Sequence, residues 1–187
     1  ASVLASLVQR DFGRVAVRNV TYTNASGIRI RAKLFQPKGV TEQSPGPGVV
    51  YIHGYQNNRE TADPYAIELA RRGIVVLNID AIGRGNSGEP ADPDAPDFDP
   101  TYGGTASLAY LKALSFVDEA RVGMMGHSLG EYGALTAAGA LDFAAALEAV
   151  SARGQEMASL EIDDNGALAA VAAPLDEAER LVDGLEG

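Results

Sequence analysis

Three short runs of apolar residues, set in an alternating strand and helix pattern, restrict this chain more than anything else in its sequence. Val49-Val50-Tyr51-Ile52 and Ile74-Val75-Val76-Leu77-Asn78-Ile79 read as strands buried on both faces. Between them Asp63-Pro64 opens a helix pattern carried by Ile67, Leu69 and Ala70. Arg71-Arg72 and Gly73 close it, as the helix dipole and the glycine C-cap require. A strand, a helix and a strand joined by short loops form a βαβ unit, so the two strands are expected to run parallel. The alternation continues with a helix over 105–114, a strand over 121–126 and a helix over 130–141. Ahead of it, residues 15–22 and 28–35 alternate apolar with polar around Asn24-Ala25-Ser26-Gly27, a hairpin signature. Pro45-Gly46-Pro47-Gly48 punctuates the chain before the first buried strand. This order predicts an α/β fold: a mostly parallel sheet with helices on both faces, led by an antiparallel hairpin.

At 187 residues and 46% hydrophobic, the chain is long enough for one domain with a real core. It has no unbroken apolar stretch of membrane-spanning length and no basic leader, so no membrane role is expected and a cytoplasmic location is favoured. Without cysteine there is no thiolate metal site and no cysteine nucleophile. A net charge of −10 argues against a nucleic-acid partner, which needs a basic face. The acids are unevenly placed: residues 142–187 hold 11 of them against Arg153 and Arg180. A boundary near residue 141 follows, dividing a core (1–141) from an acidic, alanine-rich, mainly helical extension (142–187). In the extension, Phe143, Ala146, Leu147, Val150 and Met157 favour a helix, 167–172 a short strand and 175–185 an acidic helix.

The chemistry concentrates in Gly126-His127-Ser128-Leu129-Gly130, a G-x-S-x-G segment between an expected strand and an expected helix. A serine on such a tight turn projects its hydroxyl from the carboxyl edge of the sheet, while the flanking glycines keep the neighbouring backbone free of collisions. The helix amides beneath it can face a developing oxyanion. Ser128 is the candidate nucleophile; the plainer reading is a capping serine in a glycine-rich turn. His53-Gly54-Tyr55 follows directly on the strand ending at Ile52. If that strand neighbours the serine strand, the N–H groups of Tyr55 and Leu129 converge on one oxygen as an oxyanion hole. For His53 a ring that holds the loop is favoured over proton transfer. Asp80-Ala-Ile-Gly-Arg-Gly-Asn-Ser87 lies on the same edge, but its glycines lack the G-x-G-x-x-G order, so no nucleotide is expected. Glu89, Asp92, Asp94, Asp97 and Asp99, interrupted by prolines, show no metal-ligand spacing and read as a solvated lid or linker.

Residues 15 to about 140 resemble the α/β-hydrolase superfamily of serine esterases, on the hairpin, Val-Tyr-Ile-His-Gly at 50–54, the Asp80 loop and Gly-His-Ser-Leu-Gly at 126–130. That resemblance implies Ser128 as nucleophile and Tyr55 and Leu129 as oxyanion donors, with no cofactor. Residues 126 to about 187 resemble a second family, the malonyl-CoA:acyl-carrier-protein transacylases, on Gly-His-Ser-Leu-Gly-Glu-Tyr at 126–132, Ala-Ala-Gly-Ala-Leu-Asp-Phe at 137–143 and Ala-Arg-Gly-Gln-Glu-Met at 152–157. This one implies that Arg153 holds a substrate carboxylate. A drifted tail, a hybrid and a truncated chain are all compatible with the two together.

Both families place the base that activates the serine on a histidine well downstream. After His127 this chain carries none, and His127 adjoins the serine itself. The expectation is therefore a serine esterase acting on a small ester, impaired for want of a base. Alternatives are acyl transfer from coenzyme A to a carrier protein and a silent acyl-binding or scaffold domain. A sheet truncated after the serine strand and helix also leaves an apolar edge, to be covered by the acidic helices or by self-association.

Overall fold

The computed structural model describes residues 10–54, 56–92, 98–99, 101–137 and 140–159. Spatial proximity divides the chain into two compact units, residues 1–153 and 154–187. Strands β1 (Val15–Thr23) and β2 (Arg29–Pro37) form the expected antiparallel hairpin. Its turn is held by the Asn24 side chain, which accepts the amides of Ser26 and Ile28 at 3.1 and 2.8 Å. Gly27 there has a φ of 78°, a conformation that costs a residue without Cβ little.

Strands β3 (Gly46–Ile52), β4 (Val75–Ile79) and β5 (Val117–Gly126) complete a five-stranded sheet in the order β1-β2-β4-β3-β5. β2 pairs antiparallel with β4, whereas β4, β3 and β5 are parallel neighbours, as the alternation requires. Helix α1 (Asp63–Arg71) joins β3 to β4, α2 (Gly104–Lys112) precedes β5, and α3 (Leu129–Ala137) and α4 (Phe143–Ser159) follow it. Central β4 is buried along its whole length, which explains why it reads as a continuous apolar run. Its Val75, Leu77 and Ile79 face Val50, Ile52 and the α2 residue Leu111 in one core, while Val76 joins Phe35, Tyr51, Ala66 and Ile67 in a second core beneath α1. Helices thus cover both faces.

The element boundaries depart from the sequence reading where glycine and proline mislead. The Gly46-Pro47-Gly48 punctuation lies inside β3, because a Cβ on Gly46 would come within 2.7 Å of Val40 and one on Gly48 within 3.1 Å of Leu111. Pro47 has no N–H for the ladder, and the β3–β5 register shifts between Gly46 and Gly48. β5 begins at Val117, earlier than expected, with an exposed stretch whose Arg121 Nε donates to Asp118 at 2.6 Å. The expected helix after residue 142 forms as α4, capped by Asp142, which accepts the Ala145 amide at 2.9 Å. The expected strand at 167–172 and helix at 175–185 lie outside the described residues. Among those described, no helix is long and apolar enough to cross a membrane.

Candidate active site

Ser128 stands between the last residues of β5 and the first of α3, with φ at 55°. A side chain in this left-handed region costs of order 1–3 kcal/mol and persists only where the surroundings enforce it. Here the enforcement is backbone contact. A Cβ on Gly130 would stand 2.5 Å from the Ile52 carbonyl oxygen, and one on Gly126 would collide with the Gly130 carbonyl. The turn is fixed further by His127 N–H on Ile52 O at 3.2 Å, Gly130 N–H on His127 O at 3.0 Å and Glu131 N–H on Ser128 O at 3.1 Å. Glu131 reaches back so that its carboxylate accepts the Ser128 amide at 2.8 Å, a favourable place for an anion at a helix N-terminus. Leu129 opens α3, and first-turn amides have no partner within their own helix. Arg153 Nη2 donates to Ser128 Oγ at 3.5 Å, so the two residues joined by the second resemblance do meet.

Parallel pairing of β3 with β5 brings the His53 loop beside the serine. A Cβ on Gly54 would lie 3.2 Å from Ser128 Cβ and 3.3 Å from His127 Nδ1, so glycine is what lets the loop approach. Tyr55, the expected second oxyanion donor, lies outside the described residues. His53 is 4% exposed. Its Nε2 accepts the Ala81 amide at 3.1 Å, which assigns the proton to Nδ1, paired with Gly54 O at 2.8 Å. Burial lowers its pKa, against the opposing pull of the Gly54 carbonyl and Asp80. Both ring nitrogens are thus committed, and His53 ties the β3 loop to the β4 loop.

The Asp80 loop is held by its own carboxylate. Asp80 accepts from Arg59 Nη1 at 2.6 Å, from the Arg59 amide at 2.9 Å and from the Asn86 amide at 2.9 Å. Gly85 is needed because any Cβ there would strike that carboxylate. Next to it Asn78, in mid β4, donates to Arg59 O at 2.6 Å and to Asp63 at 3.1 Å, while Lys33 Nζ pairs with Asp63 at 2.5 Å. Burial raises the Asp63 pKa and outweighs the Lys33 partner, which lowers it. This buried network escaped the sequence reading, where Lys33 passed as the polar face of a hairpin; the one available signal was a lone Asn78 in an apolar strand.

The acidic loop needs correction at its end. Asp99 is no solvated linker residue: it accepts from Thr101 N and Oγ1 at 2.9 and 2.7 Å and from the Gly103 amide at 3.1 Å, setting up the start of α2. Asp94 and Asp97 lie outside the described residues. Beside this loop, between α3, α4 and the residues after β4, lies a cavity of about 320 Å³. Ile52, Gly54, Ile82, Phe98, Gly130 and Val150 are among its walls. Ser128 is not, although the two glycines that touch its turn are. Among the described residues no group of His, Asp and Glu is arranged to hold a metal.

Sheet order, the strand-to-helix serine and the histidine-glycine loop agree with a family-model match to the alpha/beta hydrolase family over residues 49–185. The chain belongs to the α/β hydrolase family. It is 34% identical over 115 residues to YcjY, an uncharacterized protein of Escherichia coli K12, a match covering 59% of this chain and 37% of that protein. The fold superimposes on the acetyl xylan esterase of Paenibacillus sp. R4 with a TM-score of 0.56 and 28% identity over 67% of this chain and 45% of the esterase. A shorter segment is 50% identical over 48 residues to the malonyl CoA-acyl carrier protein transacylase of Escherichia coli K12, covering 26% of this chain and 16% of that enzyme. The chain therefore spans well under half the length of the curated relatives it matches.

Proposed function

We propose that this α/β hydrolase is acylated on Ser128 by small carboxylic esters. The observation that carries the reading is the positive φ of Ser128, held between two glycines that admit no Cβ at the carboxyl end of β5. Ser128 Oγ attacks the ester carbonyl and its proton leaves with the alcohol. The Leu129 amide, with that of Tyr55, takes the charge that forms on the carbonyl oxygen, and water then releases the acid. No histidine follows His127 in this chain, and the His53 ring is occupied, so turnover is slow: oxyanion stabilisation and binding without a full triad leave on the order of 10³-fold over water. Incubation with an activated aryl acetate and mass spectrometry should find the acetyl group on Ser128, and Ser128→Ala should lose it. Acetylation elsewhere, or none, would sink the reading.

A second reading is favoured by one contact, the 3.5 Å approach of Arg153 to Ser128 Oγ. A guanidinium there suits the free carboxylate of a malonyl group, as an acyl transferase would need. Malonyl-coenzyme A is the discriminating substrate. Arg153→Glu should abolish malonylation of Ser128 while changing acetylation little if the site accepts both, and equal loss of the two would remove the carboxylate role. A binding domain without turnover is the outcome if neither donor acylates the serine.

A further inference from the structure

The cavity beside the serine turn is lined mostly by apolar surface and has no part in the acylation chemistry itself. We infer that it receives the acyl chain of a medium-chain ester, of about six to eight carbons. The inference rests on Ser128 being the acylated residue. Three observations carry it. The volume of about 320 Å³ is at the small end of ligand pockets, and at roughly 30 Å³ per small group, the liquid share of one water, it takes on the order of ten such groups. That is the size of a short chain. Apolar surface predominates in its lining, where Ile52, Ile82, Phe98 and Val150 offer a straight alkyl chain contact, with Arg84, Glu89, Thr101 and Thr136 as polar neighbours. The cavity also adjoins the serine turn through two glycines: Gly54 and Gly130 line it, and Gly54 is close enough that a Cβ there would stand 3.2 Å from Ser128 Cβ.

Gly133 of α3 gives the means to test this. It lines the cavity, and a Cβ there would meet only Ile52 Cδ1 at 3.6 Å and Thr101 O at 4.0 Å, ordinary contacts. Gly133→Ala is therefore expected to fold as well as the parent or better, and Gly133→Leu to fold and fill the cavity. Labelling of Ser128 by a series of alkyl fluorophosphonates, from methyl to decyl, should quicken about fourfold per added methylene up to about eight carbons and then level off. Gly133→Leu should flatten the series from about four carbons while Gly133→Ala keeps it. In parallel, calorimetric titration of Ser128→Ala should show binding of octanoate and none of acetate, with octanoate binding lost in the Ser128→Ala, Gly133→Leu double variant. Labelling of Ser128 at one rate for every length overturns the acyl-pocket inference and leaves the nucleophile standing. Labelling at no length overturns the nucleophile, and octanoate binding then decides the cavity by itself: none, or binding indifferent to Gly133→Leu, overturns the chain site as well.

Discussion

Removing the charge of Asp80 should cost this fold more than any substitution at its surface. The Asp80 side chain is 1% exposed and that of Arg59 is 7%, with Nη1 and Oδ2 2.6 Å apart. Arg59 Nε, equally buried, has no hydrogen-bond partner among the described residues. Asp80→Asn keeps the shape but only one of the two oxygens, which accept the Arg59 amide on Oδ1 and the Asn86 amide on Oδ2, and it strands a guanidinium away from water. Breaking a buried pair from one side costs about 3–5 kcal/mol. Glu60 is the alternative partner, yet its carboxylate is 3.8 Å from Arg59 Nε and 55% exposed, so it returns at most about 1 kcal/mol. The net expectation is a loss of about 3 kcal/mol, a large part of the roughly 5–15 kcal/mol that holds a domain. Urea unfolding followed by circular dichroism should move its midpoint down by about 1–3 M at a slope of about 1–3 kcal/mol per M. Arg59→Met added to Asp80→Asn should recover much of the loss, since it removes the stranded charge. A loss under about 1 kcal/mol for Asp80→Asn, or strictly additive costs for the two changes, would refute the account of this pair as a buried and mutually dependent unit.

The His53 ring is neutral in the folded chain with its pKa lowered by burial, so the unfolded chain binds the extra proton first as pH falls below about 6.5. Stability should therefore decline on acidification below that value, by at most about 1.4 kcal/mol per pH unit, and His53→Asn should flatten the decline between pH 6.5 and 5.5; an unchanged slope contradicts it. Asp63, whose pKa burial raises, acts in the opposite sense, losing its contribution as pH rises above the ordinary carboxylate range, so His53→Asn compared with the parent isolates the histidine. Within β5, Gly126→Ala should cost at least about 1–3 kcal/mol from overpacking against the Gly130 carbonyl, whereas Gly123→Ala, with nothing within 4 Å, should be neutral or gain a few tenths; equal effects in thermal melts would deny that the turn demands glycine. β5 is an edge strand among the described residues, and we expect a second copy of the chain to pair along it: light scattering should show a dimer that Gly123→Lys dissociates, and a monomer at every concentration would exclude this.

Architecture was legible in this sequence because burial writes a simple code. β4 lies between two helical layers and so carries apolar residues on both faces, while the outer strand β1 carries the two-residue alternation. The serine turn was legible for a different reason: Gly126 and Gly130 stand where no Cβ fits, and such sites leave glycine as the only choice. What stayed hidden are long-range polar pairings. Lys33 and Asp63 are 30 positions apart, and Arg59 and Asp80 are 21 apart; nothing local marks them as partners. Asp99 was hidden among other acids, since a carboxylate that caps a turn and one in solvent read alike until the accepting amides are located.

The two family resemblances overlap at residues 126–130, and the geometry there explains why they can. Each requires a serine on a strand-to-helix turn, and the turn is enforced by contacts of Gly126 and Gly130 with main-chain atoms of Gly130 and Ile52. Those contacts are indifferent to what the serine attacks. The five-residue segment therefore reports the nucleophile's posture and says little about its substrate. Substrate information has to come from side chains beside the serine, and two that touch it here are Arg153, through Oγ, and Glu131, through the main-chain amide. They pull in opposite directions: the guanidinium attracts an acyl group bearing a carboxylate, while the carboxylate beside the Ser128 amide adds negative charge at the helix end that an oxyanion would use. A malonyl donor gains from the first and an uncharged ester does not. The ratio of malonylation to acetylation of Ser128, measured with Arg153→Ala and with Glu131→Gln, separates these influences: the first change should lower the ratio, and the second should raise acetylation by relieving repulsion of the oxyanion. If Glu131→Gln instead slows both donors equally, the Glu131 carboxylate serves to hold the turn, and its charge is not felt at the carbonyl.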